Sequence, residues 1–247
     1  ETSFRLEAGE TIVIVSDGVV QAGLGEMLPF GLGTDGLIDT LQRFCDLDDN
    51  VQSIAWKIVN ICKSYYMGEP GDDTTAVVVR LKEEQSMVIM TGPPVNPADD
   101  ARMVSRFEAT EGTHVICGGT TAQIYARETG KKIFSDFKYV NKKIPPTSRI
   151  EGVDLVTEGI ITLQATLALV DRIARDPDHI LHLGTRPDEL LYRALFMEST
   201  NINIFFGTAF NDAHSDTNIA FDNKLTAIKT LCRKLEAAGK MTSIQYY

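Results

Sequence analysis

The 247-residue sequence has no apolar run approaching the ~20 residues that cross a bilayer, so no transmembrane helix and no membrane partner are expected. It begins at Glu1 without Met and without a charged-then-apolar leader. No signal peptide is visible, and the chain reads as starting mid-domain. Cysteine is sparse: Cys45, Cys62, Cys117 and Cys232 are scattered, with no C-x-x-C pair. That spacing argues against a zinc ribbon or a disulfide-stapled scaffold and for buried thiols in a reducing, cytoplasmic compartment. The four histidines, His114, His179, His182 and His214, lack metal spacing and receive no role. Residues 86–247 contain no G-x-G-x-x-G and no Lys-bearing P-loop, which removes the two commonest nucleotide fingerprints from that part of the chain. Positive charge is short as well, with 24 Lys and Arg against 34 Asp and Glu, a net charge of −10 that argues against nucleic acid as the main partner.

What is present is a globular composition, 43% hydrophobic and 23% charged, long enough for one large domain or two ordinary ones. The acidity is uneven. Residues 1–85 carry fifteen Asp and Glu against six Lys and Arg, whereas residues 86–247 carry nineteen against eighteen. A cation site in the first segment would need such a balance, although a solvated acidic surface gives the same count. Within it, Thr11-Ile-Val-Ile-Val-Ser-Asp-Gly18 is a β-branched run bounded by Gly9 and Gly18, too short for a helix and read as a buried strand that stops at Asp17. Alone, Asp17 would be read as a turn residue capping the next segment. A second run, Gly71-Asp-Asp-Thr-Thr-Ala-Val-Val-Val-Arg80, opens with Asp72 and Asp73. Two strands with Asp at one end can bring together the hard oxygen ligands that Mg²⁺ or Mn²⁺ requires.

Ser16-Asp17-Gly18, an amphipathic helical stretch, and then Gly71-Asp72-Asp73-x-Thr75 with Val77 to Val79 resemble the C-terminal half of the metal-dependent PPM serine/threonine phosphatases, in the bacterial branch that includes sporulation stage II protein E. The resemblance spans Phe4 to Leu81. It implies that Asp17 and Asp72 are catalytic metal ligands and that Asp73 belongs to the same metal site. It also implies two Mn²⁺ or Mg²⁺ ions activating a water against a phosphorylated protein substrate. Complete members carry earlier strands with a further metal-binding Asp and an Asp-Gly pair, so the chain is expected to be a fragment of a longer phosphatase, with little activity alone. Apolar surface should be exposed on its residual sheet, and homo-oligomers could cover it. The competing reading is a non-catalytic sensor or scaffold built on a degenerate phosphatase fold.

Along the first segment, Phe4 to Glu10 is expected as a short edge strand turning at Gly9, Val19 to Gly36 as a glycine-rich flap, and Asp39 to Phe44 as a short helix capped by Thr34 or Asp35. Val51, Ile54, Ile58, Val59, Cys62 and Tyr65 recur at helical spacing behind an Asp48-Asp49-Asn50 cap. Its Trp56 and Tyr65 read as core or rim residues. Lys82 to Gln85 forms a polar hinge, which sets the expected domains at 1–83 and 86–247. Beyond it, strands near 87–90, 114–117, 153–156, 201–206 and 241–246 alternate with helices near 97–107, 122–128, 160–174 and 222–238. The fold class expected is therefore α+β, a partial phosphatase β-sandwich with flanking helices, followed by an α/β domain with a largely parallel sheet.

In that domain Gly118-Gly119-Thr120-Thr121 lies between strand and helix, where amides and hydroxyls could hold a small anionic ligand; a tight turn with a Thr cap explains the same residues. If the exits at Thr91-Gly92, Gly118–Thr121, Thr157–Gly159 and Gly207-Thr208 share one edge of the sheet, they converge on one crevice. A basic stretch of Arg127, Lys131, Lys132, Lys138, Lys142, Lys143 and Arg149 reads as solvated surface, or as a docking patch for an acidic or phosphorylated partner.

Overall fold

The computed structural model describes residues 3, 5–46, 50–67, 71–135, 143–209 and 217–247, with side chains from residue 224 onward in the last stretch. The chain divides into two compact units, one of Glu1–Glu83 with Arg175–His182 and the other of Glu84–Ala174 with Leu183–Tyr247.

In the first unit, β1 (Thr11–Val15) and β2 (Ala76–Arg80) pair antiparallel, with Thr11 opposite Arg80 and Val15 opposite Ala76. Side chains alternate across a strand, so Val13, Val15, Ala76 and Val78 turn inward. They meet a core of Val19, Ala22, Leu37, Ile54, Ile58, Cys62 and Tyr66, drawn from α1 (Asp17–Val20), α2 (Gly33–Phe44), α3 (Val51–Tyr65) and their flanks. Asn50 starts α3 by accepting a 2.9 Å bond from the Ser53 amide, one of the donors a helix start leaves unpaired. Asp48 and Asp49, expected in the same cap, lie outside the described residues. The other face of the strand pair carries Ile14, Val77 and Val79, 57%, 46% and 45% exposed.

Two local expectations change. Residues 5–10 form no strand; Glu10 N–H bonds Glu7 O at 3.1 Å and Gly9 N–H bonds Leu81 O at 2.8 Å, so a turn replaces the ladder. Helix α2 begins at Gly33 rather than Asp39, and Thr34 and Asp35 lie in its first turn instead of capping it. Burial of Leu37 and Thr40 draws that turn into the helix despite the low propensity of Gly33 and Gly36.

The second unit is a seven-stranded sheet in the order β5-β6-β7-β4-β3-β8-β9. Its strands are β3 (Ser86–Thr91), β4 (Thr113–Cys117), β5 (Phe134–Ser135), β6 (Ser148–Ile150), β7 (Val153–Thr157), β8 (Asn201–Phe206) and β9 (Met241–Tyr246). The five strands β7, β4, β3, β8 and β9 run parallel, and β5 and β6, outside the expected strands, add an antiparallel edge. Along β3, Met87 and Ile89 join one core while Val88 and Met90 join the other. The second of these cores holds Met103, Val104 and Phe107 of α4 (Asp100–Ala109) and Ile124 and Tyr125 of α5 (Gly119–Thr129). The first holds Leu163 of α6 (Ile160–Arg175), Leu191 of α7 (Pro187–Tyr192) and Ile228, Leu231 and Leu235 of α8 (Thr217–Ala237). Helices thus cover both faces of a doubly wound sheet. The chain starts at the middle strand β3, steps outward through β4 to β7, then crosses back to β8 and β9, so the winding reverses between β3 and β8.

Candidate functional site

The Asp17 site is built where β1 ends against the approach to β2. Ser16 is its fastener: its amide donates to Thr75 O at 3.0 Å, its hydroxyl donates to Asp73 O at 2.9 Å, and that hydroxyl accepts from the Thr75 amide at 2.9 Å. Gly18 is required by space, because a Cβ there would stand 2.6 Å from Asp73 O and 3.2 Å from Thr74 Oγ1. Tyr66, which follows α3, donates its phenol to Gly18 O at 2.6 Å. Residues 16–18 are thereby locked into one corner with Tyr66 and residues 73–75, some fifty residues further along the chain.

Within that corner Asp17 Oδ1 accepts from the Gly18 amide at 3.1 Å, and Asp72 Oδ1 accepts from the Asp73 amide at 2.7 Å. Asp17, Asp72 and Asp73 are all exposed. Among the described residues none of the three forms an ion pair with Lys or Arg. Burial raises the Tyr66 phenol above its ordinary value, the Thr74 hydroxyl works against that, and negative charge on Cys62, Asp72 and Asp17 adds to the rise. One phenol thus senses both carboxylates. The donor set fits a hard divalent cation in kind, being carboxylates without a neutralising base. It is short in number, since among the described residues no group of three or more His, Cys, Asp or Glu is placed to hold a metal ion. Asp73 takes part through its backbone carbonyl, under Ser16. In the sequence Ser16 carries no evident task and neither Tyr66 nor Thr74 stands out; the one signal for Tyr66 is its place one residue past an amphipathic helix.

In the second unit, all four Gly/Thr exits lie on one edge, because β3, β4, β7 and β8 are parallel and in register. The donors named there are largely used by the fold. Gly118 N–H bonds Thr157 O at 3.0 Å, Gly119 N–H bonds Glu158 O at 2.9 Å, and Thr121 Oγ1 accepts from the Gly92 amide at 2.9 Å. Gly207 N–H bonds Thr91 O at 2.9 Å, and Ala209 N–H bonds Pro93 O at 3.0 Å. This is the tight-turn use of Gly118, Gly119 and Thr121, while Thr120 is exposed. In the basic stretch Arg127 is paired with Asp100 and Glu128, and Lys131 with Glu108, so two of its cations are already neutralised. Lys138 and Lys142 lie outside the described residues.

Residues 1–82 match the model of the Stage II sporulation protein E (SpoIIE) family. The match covers a third of the chain and supports a SpoIIE-like, phosphatase-related region. Comparison with curated proteins and with solved structures finds no match for the chain. Ser16, Asp17, Gly18, Asp72, Asp73 and Thr75 all fall inside the SpoIIE-like region, and the seven-stranded unit falls outside it. No helix among the described residues is long and apolar enough to cross a membrane.

Proposed function

We propose that the SpoIIE-like region is the C-terminal half of a PPM-type serine/threonine phosphatase, in which Asp17 and Asp72 contribute metal ligands and Asp73 lines the same site. The observation that carries this reading is the clamp of Ser16 on Asp73 O and the Thr75 amide, which holds at one sheet end two carboxylate positions with no ion pair among the described residues. Mn²⁺ or Mg²⁺, when bound, would polarise a phosphoryl group and lower the pKa of a water that attacks phosphorus in line. The chain's own residues have narrower tasks. Asp17 and Asp72 present oxygens, Ser16 and Gly18 hold the two loops at fixed spacing, and Tyr66 anchors the turn after Asp17. Two or three carboxylates leave a hexacoordinate cation mostly hydrated, so this chain alone binds it weakly. The substrate class is a phosphoserine or phosphothreonine protein, and the α/β unit has a regulatory or ligand-binding role. The test is phosphopeptide hydrolysis by the complete gene product with Mn²⁺ and with chelator. Asp17→Asn and Asp72→Asn should each lower turnover by about 10² or more; activity indifferent to chelator and to both substitutions would overturn the metal mechanism.

A second reading, a non-catalytic scaffold, draws on the lack of a three-ligand group among the described residues. It predicts no metal-dependent turnover from the complete gene product under any divalent cation.

A further inference from the structure

The α/β unit holds a lysine that the phosphatase reading does not use. Lys224 extends from α8 to the carboxyl edge of the sheet, at the reversal between β3 and β8. Its Nζ stands 3.0 Å from where a Cβ on Gly92 would be, and 5.8 Å from the centre of the Phe206 ring at the end of β8. It is partly buried, and among the described residues it has neither a hydrogen bond nor an ion pair. Burial lowers its pKa, while the nearby Cys117 and Glu158 draw it back up. Next to Cys117 in the parallel register is Thr157. Its side chain is 2% exposed, and its Oγ1 makes no hydrogen bond, with the weakly accepting Cys117 thiol as its polar neighbour. A desolvated ammonium and an unsatisfied buried hydroxyl near one thiol are each costly unless something completes them.

The Gly118, Gly119 and Gly207 amides at this edge are bound to carbonyls and the Gly92 amide to the Thr121 hydroxyl, so a pyrophosphate cradled by glycine N–H groups does not fit. Among the described residues, the groups that act on Cys117 are one cation, one hydroxyl and one carboxylate. Glu158 Oε2 is turned to the Ile161 amide at 3.3 Å, capping α6 rather than pairing with Lys224. With one positive and one negative charge already there, a single added negative charge is opposed less than two.

We propose that this corner binds a small monocarboxylate, whose oxygens accept from Lys224 Nζ and from the Thr157 hydroxyl. The site is independent of the phosphatase reading. Sodium acetate serves as the probe, with inorganic phosphate at pH 8 as the dianionic comparator, on the whole 247-residue chain at constant ionic strength. Acetate should raise Tm, and Lys224→Met should abolish the rise while preserving the far-ultraviolet dichroism. Glu158→Gln should tighten acetate binding about tenfold by removing the opposing charge. Phosphate should bind at least about tenfold more weakly than acetate. No Tm response to acetate in either the native chain or Glu158→Gln overturns the site, and tighter binding of phosphate overturns the ligand class. Equal, non-additive destabilisation by Lys224→Met and Glu158→Gln would instead make the two a structural pair and also end the proposal.

Discussion

Ser16 shows how one hydroxyl can define a site whose named ligands lie elsewhere. It donates to Asp73 O and accepts from the Thr75 amide, so Ser16→Ala removes two bonds and leaves that amide without its partner. A loss of about 1–3 kcal/mol is expected in denaturant titration of the first unit. Gly18→Ala should cost at least as much through a different cause, because the new methyl would press on Asp73 O. If Gly18→Ala is tolerated while Ser16→Ala is not, the corner is held by hydrogen bonding alone. The single tryptophan offers a direct reading of another residue. Trp56 Nε1 and, at 2.9 Å, Asn60 Nδ2 both donate to Asp178 Oδ1 within the first unit. The Trp56 bond, then the Asn60 bond, hold the Asp178 carboxyl below its ordinary range. A carboxyl with a depressed folded pKa contributes stability above its unfolded pKa and loses it as pH falls through the folded one. Trp56 emission should therefore titrate at a pH below the usual Asp range, around 4, and Asp178→Ala should abolish that transition. A titration centred on the ordinary value would show that the bonds do not favour the ionised form.

At the scale of elements, the β1–β2 pair leaves one apolar face open. Ile14 lies opposite Val77, and Ile12 opposite Val79. Two strands with one covered face are marginal, and an uncovered β-branched face invites pairing with another copy or with further strands. Light scattering of the 247-residue chain should give a concentration-dependent mass above that of a monomer. Val79→Lys should shift it toward the monomer with the far-ultraviolet dichroism unchanged. A native chain that stays monomeric at every concentration would show that this face is covered in some other way. The periodicity of α3 and α4 was readable because their buried positions recur on one stripe: Ile54, Ile58 and Cys62 in the former, Met103, Val104 and Phe107 in the latter. The start of α2 was not readable. Gly33 and Gly36 are poor helix formers, and only burial of Leu37 and Thr40 overrides them.

At the scale of the molecule, the alternation of β-branched runs with amphipathic stretches determined that residues beyond the hinge form a largely parallel sheet, since each crossover is long enough for a helix. The same reading located strand exits at glycine and threonine, and their shared edge follows from the parallel direction of β3, β4, β7 and β8. In the first segment the carboxylates at two strand ends were visible as Asp17 and Asp72, because β-branched runs that stop at Asp-Gly or begin after Asp-Asp are local features. The partners of those groups depend on pairings between distant residues, and only the tertiary structure decided them. It directed the Gly118 and Gly119 amides to carbonyls at the end of β7 and the Thr121 hydroxyl to Gly92. It grouped residues 175–182 with the first unit, and it brought Lys224 to Gly92 across more than a hundred residues. A hydrogen-bond donor in a turn satisfies whichever acceptor the fold brings within 3 Å or so, and local sequence carries no record of that acceptor.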